Sequence, residues 1–411
     1  MNTPPVVSFC IPTYQRARYL EALLPSLVQQ LAGFPYPYEI VIADNASTDR
    51  SAEVVQAFAG QLPIRYTRHA QNIGGYPNWQ YVMSRGLGRY LVYLSDDDSI
   101  LGPQLADLID KMEADPALAV VYAPWLMYDL VDQQLQGQFY SVPQDLRIER
   151  GQHARLLDHV LRHGIFPEIG VLRREVFQAT MPRINDHAFL AFVHSTDYLR
   201  QGAVMIQKEP FYVAITRYFA DEEREQLGTD EVEVAWDRYR GGLEYMLAAC
   251  GNALTTEERS GFHLRVQRLI ADRIAVAIRL RHAKQRNAID TYYLGMRLRG
   301  MGYEQLLPVP MQTLASQAMV EFMLRDPEIH RGMQQMICIG HCPPEERDFF
   351  RRSARMPVLF EADLGSCDHL SDALLFVRDD AERAQGLDSA LAAQRNVRVL
   401  HERHLAAKFG L

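Results

Sequence analysis

The first hundred residues alternate short, continuously apolar runs with segments of helical periodicity, and this alternation constrains the fold more than any other feature of the chain. Val6 to Ile11, "VVSFCI", is almost wholly apolar and closes at Pro12, as expected of a strand buried on both faces. In "RYLEALLPSLVQQL" the residues Leu20, Leu23, Leu24, Leu27 and Leu31 recur at helical spacing in spite of Pro25. "YEIVIADNASTD" supplies a second buried strand, Glu39 to Ala43, and Ser47 or Thr48 to cap the next helix. A third strand, "IRYT", leads through the glycine-bearing loop "NIGGYPN", which holds Asn72 and Gly74, into a short helix that ends at Gly86 and Gly88. The fourth strand, "YLVYL", runs straight into Asp96, Asp97 and Asp98.

Strands alternating with helices build βαβ units on a parallel sheet, and such sheets bind ligands beyond the carboxyl ends of their strands. Asp44 and the three consecutive aspartates both fall at such ends. Adjacent carboxylates within about 4–6 Å raise one another's pKa unless a cation intervenes. The run is therefore either a solvated acidic turn or a metal site, and the surrounding pattern favours the metal. "GLGRYL" lacks the third glycine of a dinucleotide fingerprint and precedes a strand instead of following one. "PTYQRARY", after the first strand, has no glycine to make a phosphate-cradling loop. Phosphates at this site would be held mainly by a metal.

Composition narrows the setting. At 411 residues and 48% hydrophobic content the chain exceeds what one core supports, so at least two domains are expected. A formal net charge of -8 argues against nucleic acid as a partner. The five cysteines are an odd, scattered set that does not read as a disulfide framework, which fits a reducing compartment. "MNTPPVV" does not resemble a signal peptide, and the longest mostly apolar run, Leu118 to Tyr128, is well short of the roughly 20 residues that span a bilayer. The expectation is a cytoplasmic protein with at most peripheral contact at the inner face of a membrane; self-association stays open.

"VSFCIPTYQRARYLEALLPSL", "YEIVIADNASTDRSAEVV" and "NIGGYPNWQYVMSRGLGRYLVYLSDDDSI", in this order and spacing, resemble the nucleotide-binding half of family-2 glycosyltransferases with the GT-A fold, bacterial polysaccharide enzymes among them. The resemblance covers Val6 to roughly Leu108 and continues more weakly to about Tyr218. It implies that Pro12, Thr13 and Tyr14 line the base and ribose pocket, where Asn72 and Gly74 also belong. Asp44 would accept a hydrogen bond from a pyrimidine imino group, as a carboxylate can. The family's D-x-D position falls on Ser95, Asp96 and Asp97, so the usual first aspartate is a serine here. Asp97 is then the preferred ligand for Mn²⁺ or Mg²⁺, Asp96 faces ribose or diphosphate, and Asp98 is a second ligand or a loop anchor.

The family is inverting and takes its general base from an acidic pair downstream. In "FVHSTDYLRQGAVMIQKEPFYVAITRY" the matching position is Thr196-Asp197, which makes Asp197 the expected base although the first acid is missing. Asp186, His187 and His194 are nearby substitutes. In "FPEIGVLRREVF" the resemblance marks Glu168, Ile169 and Gly170 as bordering the acceptor.

From Glu231 to about Ile329 helical patterns dominate. One long segment carries an apolar stripe of Phe262, Val266, Leu269, Ile270, Ile274 and Ala277, flanked by Arg265, Arg268, Arg273, Arg279 and Arg281. Such a face suits an anionic membrane surface, but the solvated side of a helical bundle is commoner. The tail reads as a small α/β unit with strands "MICIG", "PVLFEAD", "ALLFV" and "NVRVL". Cys338, His341, Cys342, Cys367 and His369 have an irregular spacing that favours buried strand cysteines over zinc.

The expected organisation is α/β: a GT-A domain over 1–220, a helical region over 221–332 and a small α/β domain over 333–411. The expected function is metal-dependent transfer of a sugar from a UDP- or dTDP-sugar to a glycan or lipid-linked glycan acceptor. A non-catalytic nucleotide-sugar binding module and a sugar-nucleotide nucleotidyltransferase are the rivals.

Overall fold

The computed structural model describes residues 4–180, 187–221, 236–284, 287–361, 371–378 and 396–409. They fall into two compact units, one of Met1–Leu227 with Asp237–Leu269, the other of Gly228–Trp236 with Ile270–Leu411.

The first unit is built on β1 (Val7–Thr13), where Val7, Phe9, Cys10 and Ile11 are wholly buried. α1 (Ala17–Gln30) buries the leucine stripe read from the sequence. β2 (Tyr38–Asp44), α2 (Ser51–Phe58), β3 (Ile64–Arg68), α3 (Gly75–Arg85) and β4 (Tyr90–Tyr93) follow. β1 pairs in parallel with β2 on one side and β4 on the other, and β3 pairs in parallel with β2. The strand does not close at Pro12, as the sequence suggested, but runs to Thr13. Cys10 accepts from Leu94 N on the β4 side and Thr13 from Asn45 N on the β2 side. By that alternation the Pro12 nitrogen faces β4, beyond the last β1–β4 pair of Cys10 with Tyr93, where no ladder bond is lost. Gly88 is used for packing: a Cβ there would lie 2.7 Å from Ser8 N.

After β5 (Ser99–Ile100) and α4 (Gly102–Ala114) come β6 (Leu118–Tyr122), β7 (Trp125–Asp129), β8 (Gln134–Gln138), β9 (Leu146–Ile148) and α5 (His153–His163). Then follow β10 (Gly170–Arg173), α6 (Arg174–Thr180), α7 (Leu190–Gln201), β11 (Ala203–Ile206), β12 (Tyr212–Arg217) and α8 (Trp236–Ala249). The main sheet has the order β3-β2-β1-β4-β10-β6-β11-β9, and a second sheet has β5-β12-β7-β8. β10 is antiparallel to both β4 and β6, while β11 is parallel to β6. Strands β6 and β11 therefore point the same way as β4, and the residues just before β10 lie at the carboxyl edge of all three.

Thr256–Lys284 is the long helix read from the sequence, with Val266, Ile270, Ile274 and Ala277 buried along its stripe. Its cap is a reciprocal pair in which Glu258 N donates to Thr255 Oγ1 and Thr255 N to a Glu258 carboxylate oxygen. Arg265 pairs with Asp158, and Arg281 with Asp290, so part of the basic flank serves internal ion pairs. Among the described residues no helix is long and apolar enough to cross a membrane.

In the second unit all four tail strands are present: β13 (Gln335–Ile339), β14 (Val358–Glu361), β15 (Ala373–Val377) and β16 (Val397–His401). They form a parallel sheet of order β14-β13-β15-β16 over a core that includes Met336, Phe350, Leu374 and Phe376. Cys338 and Cys342 are buried free thiols in that core. Cys367 and His369 lie outside the described residues. The expected architecture, a mostly parallel sheet domain, helices and a small α/β unit, is borne out.

Candidate active site

The carboxyl ends of β1, β2 and β4 are tied together by side chains. Thr13 Oγ1 donates to Asp96 Oδ2 at 2.7 Å, joining the end of β1 to the turn after β4. The β1–α1 loop docks on the β2–α2 loop, with Gln15 N donating to Ser47 Oγ, and Thr48 N and Asp49 N to Gln15 Oε1. Tyr14, between them, is 43% exposed and offers a flat face at this edge. Asn45 Nδ2 donates to Asn72 Oδ1, which also receives Gly74 N, while Ile73 N donates to Asn45 Oδ1. Gly74 adopts φ 93°, a left-handed value that glycine tolerates, as it leads into α3. Asn72 and Gly74 thus shape the loop beside Asp44.

The three aspartates differ in their surroundings. Asp97 accepts from Ser95 Oγ at 2.6 Å, and its other oxygen lies 3.8 Å from Arg16 Nη1. Asp98 accepts from Tyr212 Oη at 2.8 Å and from Ile215 N at 2.9 Å, which clamps the turn to β12. Burial pushes the Asp98 carboxyl up to about 6, against the pull of those two donors. Of the two roles the sequence left open for Asp98, these two bonds match the loop anchor. Asp44 is 0% exposed, its oxygens receiving Ser47 N and the Tyr66 hydroxyl.

Asp197 is not brought to this edge. Helix α7 leads through Gly202 directly into β11, so its C-terminal half descends toward the amino edge of the sheet. Asp197 lies seven residues into the helix, about 10 Å from its start at 1.5 Å per residue. It accepts there from Arg200 Nη1 and Tyr245 Oη. The adjoining turn is bound to the loop after β9, through Gly151 N to Leu199 O. β9 is four strands beyond β4 in the sheet order, roughly 19 Å at the usual strand spacing. In this arrangement the Asp197 carboxylate is engaged by Arg200 and Tyr245, and nothing in these contacts tests the expectation that it is the general base. His194 is buried and stacked on Trp79, with ring centroids 5.5 Å apart. His187 is exposed just ahead of α7, and Asp186 lies outside the described residues. Glu168 and Gly170, by contrast, sit at the carboxyl edge where β10 begins.

Sequence reading missed Arg16, Tyr66 and Tyr212. Arg16 stood in plain view in "PTYQRARY", where only the lack of glycine was weighed. Among the described residues no cluster of three or more His, Cys, Asp or Glu is arranged to hold a metal.

Residues 8–179 match the family described as glycosyl transferase family 2. The abequosyltransferase RfbV of Salmonella typhimurium (strain LT2) is 39% identical over 105 residues, 25% of this chain and 31% of that protein. The poly(ribitol-phosphate) beta-N-acetylglucosaminyltransferase TarS of Staphylococcus aureus (strain MW2) is 23% identical over 223 residues, 51% of this chain and 35% of that protein. The matched stretches span about a third of these relatives' length. Among solved structures, S. aureus TarS 1-349 in complex with UDP-GlcNAc is similar with a TM-score of 0.46 at 14% identity, over 77% of this chain and 85% of that one.

Proposed function

We propose, from the match of residues 8–179 to glycosyl transferase family 2, that the protein transfers a sugar, with inversion, from a UDP- or dTDP-sugar to a hydroxyl of a glycan or lipid-linked glycan. The observation that carries this reading is the Thr13–Asp96 hydrogen bond. It fastens two strand ends into one edge where a nucleoside diphosphate can lie against Tyr14, Asp96 and Asp97.

The donor set suits a hard divalent cation. Asp97 faces positive charge already, in Arg16, and Mg²⁺ or Mn²⁺ commonly takes one or two carboxylates together with substrate phosphates. Asp97 would hold the ion, which supplies Lewis-acid stabilisation of the departing diphosphate. Arg16, beside Asp97, would pair with a phosphate oxygen of the donor. Ser95 orients Asp97, and Tyr212 with Asp98 holds the turn in register. Uracil and thymine carry the imino donor that Asp44 would accept, and neutral cytosine does not.

Incubating the full chain with a panel of UDP- and dTDP-sugars and Mn²⁺ should release the nucleoside diphosphate from one or a few of them, and EDTA should suppress the release. Binding without release from any donor, with every acceptor glycan tried, would instead favour the binding-module reading.

A further inference from the structure

Transfer needs a group that accepts the acceptor's proton, and Asp197 is engaged by Arg200 and Tyr245. We propose that Glu168 is that general base, an assignment that rests on the transfer reading above.

Its position is fixed by the sheet. β10 pairs Val171 with Val92, Leu172 with Leu91 and Arg173 with Tyr90 in antiparallel register. Glu168 lies in the turn that enters β10, at the end of the sheet where β4 leaves for the aspartates. The backbone is pinned by Ala123 N donating to Ile169 O and Glu168 N to Phe166 O. Gly170 permits the close approach to β6, since a Cβ there would lie 2.5 Å from Val121 O. Phe166 and Ile169 are buried, while the Glu168 side chain between them is exposed.

Two further observations point to a ligand on this side. Among the described residues the Tyr140 hydroxyl has no hydrogen-bond partner, at 5% residue exposure, and such a buried group normally has one. Burial, and after it the Glu168 charge, raises the Tyr140 pKa; Glu168 also acts on Tyr93, at the end of β4. A sugar hydroxyl bound here would give the Tyr140 hydroxyl a partner. Next to them Phe139, 38% exposed, stacks on Trp125 at 4.4 Å between centroids and meets Phe166 edge-on. Trp125 pairs along the sheet with Tyr212, the partner of Asp98, so this aromatic wall adjoins the aspartate turn. The electron-rich ring faces suit the C–H face of a pyranose.

Of the aspartates after β4, Asp96 is bonded to Thr13, Asp97 lies against Ser95 and Arg16, and Asp98 anchors the turn to Tyr212 and Ile215. In the transfer, the acceptor oxygen forms a bond to the anomeric carbon as its proton passes to the Glu168 carboxylate. The bond from that carbon to the phosphate oxygen breaks, and its electron pair leaves with the nucleoside diphosphate.

The test uses the full chain with Mn²⁺ and two readouts: calorimetric binding of UDP, and UDP release from UDP-glucose and UDP-N-acetylglucosamine with water as acceptor. Glu168→Gln should bind UDP like the unsubstituted protein, keep the donor KM and release UDP roughly 10²–10⁴-fold more slowly. The acidic limb of the pH–rate profile should disappear, and Glu168→Asp should recover part of the rate. Full-rate release by Glu168→Gln with an unchanged pH profile, or loss of turnover in Asp197→Asn, overturns the assignment of the base alone. Failure of the unsubstituted protein to bind UDP overturns the transfer reading itself.

Discussion

At the scale of single residues, what the sequence revealed was the identity of the acids and what it concealed was their company. Three aspartates after an apolar run are legible as a strand-end cluster, because strand ends follow from periodicity. That Asp98 is spent on Tyr212 and Ile215, more than a hundred positions away, depends on tertiary pairing that periodicity does not carry. The same holds for Asp44, which meets Tyr66 only because β2 and β3 are neighbours. If Asp44 reads the base, Asp44→Ala should weaken UDP binding by about 1–3 kcal/mol, the cost of leaving an imino donor unpaired. Tyr66→Phe, which frees the same oxygen, should leave UDP affinity undiminished. A calorimetric titration in which Tyr66→Phe weakens binding as much as Asp44→Ala would transfer the role to the hydroxyl.

At the scale of elements, the alternation of strands and helices was readable through β4, because continuous apolar runs mark strands buried on both faces. The reversal at β10 was not, since four residues carry no sign of direction. That reversal brings Glu168 to the carboxyl edge. Gly170 is where this depends on one atom. Gly170→Ala forces a Cβ against Val121 O, and overpacking of this kind costs about 1–3 kcal/mol, which chemical denaturation would measure. Unchanged stability would mean that β10 can shift without cost.

Helix α5 carries a pH dependence of its own. Burial, with the Arg200 charge second, lowers the His153 pKa below 6.5 in the folded chain. The unfolded chain therefore takes up the proton first as the solution is acidified. The contribution of His153 to stability is present above about pH 6.5 and is lost as pH falls through the lower folded value. Urea titrations over this range should show a flatter acid decline for His153→Gln than for the unsubstituted protein; an equal decline would assign it to other groups.

At the scale of the whole molecule, two compact units agree with what length alone required, and the four apolar runs of the tail made its parallel sheet legible. The net charge of -8 supplies no overall basic field, so under the proposed function a diphosphate would be neutralised locally, by Arg16 and by a cation held at Asp97. The most direct measurement of the central claim is therefore a calorimetric titration of UDP into the full chain, with and without Mn²⁺, for the unsubstituted protein and for Asp97→Asn. The account expects UDP to bind, Mn²⁺ to tighten that binding, and Asp97→Asn to erase the metal's effect while leaving metal-free binding measurable. UDP that does not bind, or binding that Mn²⁺ strengthens equally in both proteins, would contradict it.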